Sequence, residues 1–394
     1  MLLPGSMLGV LGGGQLGLMF ALAARRMGYL TTVVDPDPHS PAFGVADRKL
    51  VGSYKDPEIL SELTTTCHAV TTEFENVPAT SLAFLEKSLT VRPSSRSVET
   101  CQDRILEKTF LREQGFETAP FLVIKDGKIP SPDSLVPMLP GILKASREGY
   151  DGKGQWVVSS PEEISRLIGD RSGPFVLEKK LDLKAEFSVV LARGQDGQTA
   201  IYPVAENIHE SGILHISAVP AGISADLAEK IRAVAENIAK RLEYTGVLSV
   251  EFFLADQGRL YVNELAPRPH NSGHYTIDGC VASQFDQHVR ALTGLPLAST
   301  LLLSPCAMGN LLGDLWLENS PPPLQTILSH PSAKLYLYGK TNPRPGRKMG
   351  HFTVLGNTVH EATHIARSML ATLSGAVSQQ ESAQETVEKN MHLQ

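Results

Sequence analysis

Three observations predict an α/β fold at the start of the chain and an α+β fold in its middle. A short apolar run at residues 7–11 precedes a glycine-rich turn and a helical pattern, and residues 31–34 form a second apolar run. This strand–helix–strand order predicts a doubly wound parallel sheet. From residue 121 onward, short apolar runs alternate with turns, which indicates an α+β domain. A small β-rich unit ends the chain, with strands expected near 334–338 and 351–354.

The remaining elements follow from periodicity and stop signals. The first unit is expected to hold a helix at about 16–27, which ends at Gly28, and strands at 49–51 and 69–72. A polar tail after residue 378 is expected to be frayed. The other predicted elements are strands at 121–124, 141–144, 155–158, 175–178 and 186–192 and helices at 103–115, 225–242, 284–292 and 361–373.

Composition indicates an ordinary globular protein. Of the 394 residues, 42% are hydrophobic and 20% are charged, and the net charge of −6 gives no basic excess for non-specific nucleic-acid binding. The four cysteines are widely spaced, which fits a reduced cytoplasmic protein better than a disulfide scaffold or a zinc site. Neither a signal peptide nor an apolar run of about 20 residues is seen, so we expect a cytoplasmic protein without a membrane span.

The stretch from Glu251 to His274 carries the densest chemistry. Two β-prone runs flank a turn signal at 256–258, which predicts a hairpin. A loop of two or four residues would place Glu251 and Glu264 on one face, and a loop of three would place them on opposite faces. Facing carboxylates repel, so a cation such as Mg²⁺ is expected between them. The alternative is a surface hairpin followed by a polar loop.

The glycine-rich turn allows two interpretations. Gly12, Gly14 and Gly17 satisfy G-x-G-x-x-G, and Asp35 lies where a dinucleotide fold places its ribose-binding acid. A nicotinamide-dependent oxidoreductase is therefore one candidate. The physical requirement is only an anion at a helix N-terminus, so a phosphorylated sugar fits as well, and Gln15 could bond it. A tight turn that needs glycine for structural reasons alone is the third possibility.

Two further segments have the composition of a nucleotide site. Lys144 closes a predicted strand, and the loop 149–155 after it has three glycines and a lysine that can reach a phosphate. The apolar strand 175–181 ends in charges and can offer backbone groups to an adenine, with Glu178 and Glu186 placed for its amine or for ribose hydroxyls. The alternatives are a charged hairpin tip and a solvated sheet edge.

The order of these pieces resembles the ATP-grasp superfamily and, within it, the 5-(carboxyamino)imidazole ribonucleotide synthase family. The resemblance spans about residues 7–375 and its last three motifs are highly specific. The six motifs are GGGQLG at 12–17, EFEN at 73–76, QDR at 102–104, GYDGKGQ at 149–155, NELAPRPHNSGH at 263–274 and RPGRKMGH at 344–351.

The resemblance implies a three-domain ATP-grasp architecture. A Rossmann-like pre-ATP-grasp domain is expected at 1–102 and an ATP-grasp domain at 103–298, with a flexible flap at about 118–190. A small C-terminal β-rich domain is expected at 299–394. The implied ATP-binding residues are Arg104, Lys144, Gly149, Tyr150, Asp151, Gly152, Lys153, Gly154, Gln155, Glu178, Lys179, Lys180, Leu181, Glu186, His209, Asn263 and Glu264.

The resemblance also implies the remaining site residues. Glu251 and Glu264 would hold Mg²⁺, and Arg268, His270, Asn271 and Lys144 would be catalytic. His270 is open to two roles, proton transfer or hydrogen-bond donation. The implied substrate-binding residues are Gln15, Glu73, Tyr150 and Asp151 for the ribose and imidazole, Lys340, Arg347 and Lys348 for the phosphate, and Arg268, His270, Asn271 and Ser272 for bicarbonate and carboxyphosphate.

The implied reaction is the ATP- and bicarbonate-dependent carboxylation of the exocyclic amine of 5-aminoimidazole ribonucleotide, by way of carboxyphosphate, in de novo purine biosynthesis. A homodimer is also implied. Three alternatives stay open at this point. They are another ATP-dependent ligase of purine metabolism, a nicotinamide-dependent oxidoreductase, and a non-enzymatic nucleotide sensor.

Overall fold

The N-terminal unit is a five-stranded parallel sheet with helices packed against it, which confirms the predicted doubly wound sheet. A computed structural model describes residues 1–125, 127–147, 149, 154–169, 171, 173–316 and 320–391, with side chains described as far as 375. The strand order is β3-β2-β1-β4-β5, and every pair is parallel. Its elements are β1 (Met7–Leu11), α1 (Gln15–Arg26), β2 (Leu30–Asp35), β3 (Arg48–Val51), α2 (Pro57–Thr66), β4 (Ala69–Thr72), α3 (Ala79–Leu85), β5 (Thr90–Val91) and α4 (Ser95–Gln102).

A four-stranded antiparallel sheet follows, in the region predicted to form the flap. Its strand order is β6-β9-β7-β8, and helix α5 leads into it. Asp103 caps α5 by accepting the Ile105 N–H, which fits the predicted acidic start. The elements are α5 (Arg104–Glu113), β6 (Phe121–Ile124), α6 (Pro132–Leu135), β7 (Gly141–Ala145), β8 (Gln155–Val158), α7 (Pro161–Gly169) and β9 (Phe175–Lys179).

A nine-stranded sheet, accompanied by helices, makes up the part of the chain after β9. Its main path is β15-β14-β10-β12-β13-β16-β18-β17, and β11 pairs with β10. The C-terminal strands therefore extend the sheet that carries the Glu251 hairpin, because β16 pairs with β13. The elements are β10 (Leu183–Arg193), β11 (Thr199–Ile201), β12 (Ala205–Glu210), β13 (Ile213–Val219), α8 (Ala225–Arg241), β14 (Gly246–Ala255), β15 (Leu260–Ala266), α9 (Thr276–Gly279), α10 (Gln284–Thr293), β16 (Cys306–Leu312), α11 (Gln325–Leu328), β17 (Ala333–Leu337), β18 (Lys348–Leu355) and α12 (Val359–Met391).

Two helices fix the relative position of these layers. The apolar face predicted for α8 is buried through Ile231, Ala235 and Ile238 against β10 and β14. Helix α10 packs on the opposite side and buries Phe285 and Val289 in the same cluster as residues of α1 and β1. The hairpin is thereby held firmly against the N-terminal unit.

The C-terminal tail differs from its prediction. Helix α12 continues to Met391, where the sequence analysis expects a frayed tail after residue 378. The physical reason is that the segment is rich in Ala, Glu, Gln and Lys and holds neither Gly nor Pro after Gly375, so nothing in it stops a helix. No helix among the residues described has the length and apolar character needed to cross a bilayer.

Candidate active site

The hairpin of β14 and β15 brings Glu251 and Glu264 directly opposite each other. Its turn, Asp256–Gly258, holds three residues. With a regular ladder such a turn would set the two carboxylates on opposite faces. The register shifts after Val262, because Asn263 is an extra residue on β15, and this bulge pairs Glu251 with Glu264. The bulge therefore supplies the same-face arrangement that loop length alone would not give.

Cationic and hydrogen-bonding groups surround the two carboxylates. Arg104 Nη1 lies 3.1 Å from Glu264 Oε2, and the Asn263 amide donates to Glu251 Oε2 at 3.2 Å. Burial, together with the negative charge of Glu264, raises the pKa of Glu251 to about 7. The expected repulsion is thus present, and a cation that joined the pair would relieve it.

A chain of hydrogen bonds fixes the tautomer of His270. Ser188 donates to Ser272 Oγ at 2.7 Å, and Ser272 Oγ lies 2.8 Å from His270 Nδ1. The Ser272 N–H also points at Nδ1, at 3.3 Å, so Nδ1 accepts and the proton lies on Nε2. Nε2 is 3.3 Å from Glu251 Oε1. Burial and the nearby Arg268 charge hold the pKa of His270 well below its usual range, so the ring is neutral.

Two buried lysines neutralise Glu178. Lys144 Nζ lies 2.9 Å from Glu178 Oε2, and Lys108 Nζ lies 3.4 Å from Oε1. Burial opposes ionisation, but the two ammonium groups outweigh it and lower the pKa of Glu178 to about 2. A solvated sheet edge was the alternative to a nucleotide-binding role for Glu178. Glu178 is instead 2% exposed and acts as the anionic partner of Lys144.

The chain beyond Glu178 offers fewer backbone donors than the sequence predicts. The N–H groups of Lys179 and Lys180 donate to Pro120 and Pro140 carbonyls, at 2.9 and 3.0 Å. Leu181 follows, partly buried. Backbone recognition of an adenine at this segment would therefore fall to carbonyl groups and to the N–H of Leu181.

Glu186 and His209 meet on the neighbouring strands β10 and β12. His209 Nδ1 lies 3.2 Å from Glu186 Oε2. Burial lowers the pKa of His209, but the hydrogen bond and charge of Glu186 outweigh it, and the pKa is raised. Both side chains lie close to Glu251, so the structure brings these three predicted residues together.

The glycine-rich loop 149–155 is described only at its ends. Gly149 O accepts from Arg104 Nη2 at 3.3 Å, and Lys144 pairs in the β7–β8 ladder with Gln155. Gly154 has φ +70°, in the left-handed region that favours glycine. Tyr150, Asp151, Gly152 and Lys153 lie outside the described residues.

The first glycine-rich turn encloses a carboxyl group, and that group belongs to the chain itself. Glu73 accepts the N–H groups of Gly14 and Leu16 at the N-terminus of α1. A Cβ on Gly12 would lie 2.6 Å from the Glu73 Cβ, so this contact alone requires a glycine. Burial raises the pKa of Glu73, against the lowering effect of the backbone donors.

Asp35 is likewise committed to the fold. It accepts the Gly13 N–H at 2.7 Å and the Tyr54 hydroxyl at 2.9 Å. A dinucleotide would need both the helix N-terminus and this acid. The oxidoreductase alternative is therefore disfavoured. Gln15 begins α1 beside Glu73, partly buried.

The segment after β15 links the hairpin to the N-terminal unit. Both oxygens of Glu75 accept from Arg268, through Nε and, at 3.3 Å, Nη2. Burial opposes the ionised form, but the guanidinium outweighs it and lowers the pKa of Glu75. Asn271 exchanges two amide hydrogen bonds with Asn310 of β16, at 2.9 and 2.7 Å. Asn271 is thus anchored to the C-terminal strands.

A basic loop from the C-terminal strands approaches the same site. Lys340 Nζ donates to Lys348 O at 2.8 Å, and Arg347 donates to Asn342 O at 2.7 Å. The Lys348 charge is close enough to His209 and His270 to oppose protonation of both rings, although the pKa of His209 remains raised overall by Glu186. The three cations predicted for a phosphate therefore come from the β17–β18 connection and the first residue of β18, and Lys348 is the one placed near the histidines of the carboxylate site.

Two residues of the site were missed from the sequence. Glu107 and Lys108 are each 1% exposed and contact the β15 bulge from helix α5. Their signal in the sequence is the spacing of charged residues at 104, 107 and 108, which puts three charges on one helical face. Such a face is normally read as solvated, because a local pattern does not show that it is buried.

Family models match three successive parts of the chain. The matches are a ribonucleotide synthetase preATP-grasp domain at residues 6–102, an ATP-grasp domain at 109–285 and a phosphoribosylaminoimidazole carboxylase C-terminal domain at 306–365. The N5-carboxyaminoimidazole ribonucleotide synthase of Brucella melitensis is 44% identical over 358 residues, which cover 89% of this chain and 96% of the relative.

Solved structures show the same similarity. The N5-carboxyaminoimidazole synthetase of Staphylococcus aureus complexed with ADP has a TM-score of 0.85 and 36% identity, over 93% of this chain and 98% of that one. The N5-carboxyaminoimidazole synthase of Aspergillus clavatus, in complex with ADP and 5-aminoimidazole ribonucleotide, has a TM-score of 0.84 and 32% identity, over 94% and 98%. The three-part architecture, the paired carboxylates and this similarity agree, and the chain belongs to the N5-carboxyaminoimidazole ribonucleotide synthase family of ATP-grasp ligases.

Proposed function

We propose that this protein uses ATP and bicarbonate to carboxylate the exocyclic amine of 5-aminoimidazole ribonucleotide, forming 5-(carboxyamino)imidazole ribonucleotide for purine biosynthesis. The observation that carries the proposal is the pairing of Glu251 with Glu264 by the β15 bulge, within a shell of cations. A triphosphate and a phosphorylated sugar both need such cations. Arg104 and Lys144 would contact the nucleotide phosphates, and Lys340, Arg347 and Lys348 would contact the phosphate of the sugar.

The donor set fits Mg²⁺ held jointly with nucleotide phosphates. The described residues contain no group of three or more His, Cys, Asp or Glu side chains that would hold a metal alone. Two facing carboxylates are what Mg²⁺ takes from a protein when phosphates complete its shell. Glu251 and Glu264 would hold the ion, and when bound it would neutralise charge on the transferred phosphoryl group.

The side chains act mainly by placing charge. Bicarbonate oxygen attacks the γ-phosphorus of ATP, the bond to the β-phosphate oxygen breaks, and carboxyphosphate and ADP result. The substrate amine then takes the carboxyl group, directly or as CO₂, and inorganic phosphate leaves. Lys144 and Arg268 would stabilise negative charge in these steps. The glycine-rich loop from Gly149 to Gln155 would exclude water from the labile intermediate.

We assign His270 to hydrogen-bond donation rather than proton transfer. Its Nδ1 accepts from Ser272, and its Nε2 faces Glu251 at 3.3 Å. A ring held neutral in this tautomer can donate through Nε2 to a carboxylate or to an oxygen of bicarbonate. Asn271 and Ser272 would fix the loop on which this donor lies. Gln15, Glu73, Tyr150 and Asp151 remain the proposed contacts of the ribose and imidazole.

The wider setting is also part of the proposal. We infer a cytoplasmic homodimer whose domains divide at 1–102, 103–298 and 299–394. The dimer is what the family resemblance implies, and the widely spaced, unpaired cysteines support a reducing compartment. Sedimentation velocity tests the dimer, and a single monomeric species at micromolar concentration would contradict it.

The decisive experiment is a phosphate-release assay with purified protein. Phosphate should appear from ATP only when bicarbonate and 5-aminoimidazole ribonucleotide are both supplied, and each single omission serves as a control. Release that required formate or glycine would assign the chain to another ligase of purine metabolism. Absence of release under every combination would reject the proposal.

A further inference from the structure

The β15 bulge is held from outside the sheet. β15 is an edge strand, and edge strands leave a row of backbone N–H and C=O groups without a neighbouring strand. The chain after α5 satisfies one of these groups, since the Val262 N–H donates to Glu117 O at 2.7 Å. Side chains of α5 bond the outward-facing backbone groups of the residues that follow Val262.

The bulge changes which backbone groups point outward. In a regular strand the backbone N–H and C=O groups of every second residue point away from the sheet. After Val262, the next residue with such groups would therefore be Glu264. The extra residue shifts this pattern, and the Asn263 carbonyl and the Leu265 N–H face α5 instead. Lys108 Nζ donates to Asn263 O at 2.8 Å, and Glu107 Oε1 accepts the Leu265 N–H at 2.5 Å.

The three contacts from α5 come from one face of the helix. Arg104, Glu107 and Lys108 are spaced i, i+3 and i+4 and are all buried. Arg104 bonds the Glu264 carboxylate between the other two contacts. Three consecutive residues of β15 are therefore each met by one ionisable side chain of α5. Burial and the charge of Glu264 raise the pKa of Glu107 to about 8, and its carboxyl oxygen accepts the Leu265 N–H in either protonation state.

Packing alone does not account for these ionisable groups. An apolar side chain at position 107 or 108 would fill the space without the cost of burying an ionisable group. Lys108 also lies 3.4 Å from Glu178, so its ammonium has two acceptors. Both acceptors belong to proposed ATP-binding residues, Asn263 and Glu178.

We propose that Glu107 and Lys108 are positioning residues that select the bulged register of β15 and thereby hold Glu251 and Glu264 face to face for the metal. Neither residue touches the reacting atoms. The inference rests on the proposed magnesium site. In the unbulged register the α5 groups would meet the wrong backbone atoms, and Glu264 would turn to the other face.

The test is binding of Mn²⁺, a probe for Mg²⁺, in the presence of ADP, followed by electron paramagnetic resonance. Glu107→Leu removes the acceptor and should weaken Mn²⁺ binding about 10–100-fold, the range for residues that orient metal ligands. Glu107→Gln keeps a carbonyl oxygen for the Leu265 N–H and should restore binding. Glu113→Gln, on an exposed position of the same helix, is the matched control.

The outcomes separate this inference from the function on which it rests. If the unmodified protein binds no Mn²⁺ with ADP, the magnesium site itself is rejected. If it binds Mn²⁺ and folded Glu107→Leu binds it equally well, only the positioning role is overturned. If Glu107→Leu does not fold, hydrogen exchange of the unmodified protein decides. The Leu265 amide should then exchange slowly, and rapid exchange would refute the contact with Glu107.

Discussion

The guanidinium of Arg104 donates to the carboxylate of Glu264 at 3.1 Å, so a residue of α5 and a proposed metal ligand on β15 share one charge network. Arg104 is 7% exposed and also donates to Gly149 O at the start of the glycine-rich loop 149–155. The β14–β15 hairpin, helix α5 and the glycine-rich loop therefore meet at the buried side chain of Arg104. A change of charge at Glu264 should act on all three.

Glu264→Gln should abolish turnover and leave the fold intact. The amide has nearly the shape of the carboxylate but lacks the negative charge that a divalent cation requires. We expect a loss of at least about 100-fold in kcat, the scale of removing one preorganised charge-stabilising group. Phosphate release and circular dichroism measure the two effects. Glu229→Gln, at an exposed position of α8, controls for the loss of a negative charge. Unchanged turnover in Glu264→Gln would show that Glu264 does not bind the metal.

The Mg²⁺ requirement should depend on pH because of Glu251. Its pKa is raised to about 7, so below pH 7 a proton occupies the carboxylate that the ion would bind. The apparent Mg²⁺ affinity should fall about tenfold for each pH unit below 7 and level off above it. Titration of activity with Mg²⁺ at several pH values measures this, and removal of the metal with EDTA should abolish turnover. A Mg²⁺ requirement that did not change between pH 5.5 and 7 would contradict the assignment.

Arg268→Lys should impair the use of bicarbonate selectively. Arg268 is bonded by both oxygens of Glu75, and a lysine cannot reproduce that two-pronged geometry or present the same planar donors. We expect kcat/KM for bicarbonate to fall about 100-fold or more, while KM for ATP stays near its original value. Steady-state kinetics with each substrate varied in turn measures the split. Arg241→Lys at the exposed end of α8 should behave like the unmodified protein, and an equal loss for both substrates would argue against a bicarbonate role.

Local patterns predict much of this fold but only part of its site. The parallel sheet and the amphipathic face of α8 follow from the spacing of apolar residues, and both are confirmed. The facing of Glu251 and Glu264 does not follow from loop length. It depends on one extra residue at Asn263, and that bulge is stabilised by Lys108, which is 155 positions away in the chain.

The glycine-rich turn at residues 12–17 shows a second reason why local patterns predict only part of the site. Its glycines predict an anionic group at the N-terminus of α1, and the group that accepts the N–H bonds there is the carboxyl side chain of Glu73. A short motif specifies backbone geometry and charge. It does not specify whether the charge comes from a ligand or from a residue 57 positions away.

Acid should destabilise the protein through His288. This side chain lies on α10, is fully buried, and bonds Thr71 of β4 through Nε2 at 2.6 Å. Burial lowers its pKa to about 3, below the value of about 6.5 in an unfolded chain. The folded state therefore binds fewer protons than the unfolded state between these values. The stability contribution is complete above pH 6.5 and is lost as the pH falls toward 3.

His288→Gln should make the free energy of unfolding less dependent on pH, because the amide can still bond Thr71 but does not titrate. We expect the slope between pH 6 and 4 to fall by up to about 1.4 kcal/mol per pH unit. Urea unfolding at several pH values measures this slope, with exposed His39→Gln as the matched control. A slope that matched the unmodified protein would show that His288 is not held neutral in the folded state. Because α10 packs on both the hairpin sheet and the N-terminal unit, protonation of His288 should weaken the packing between these two parts of the molecule.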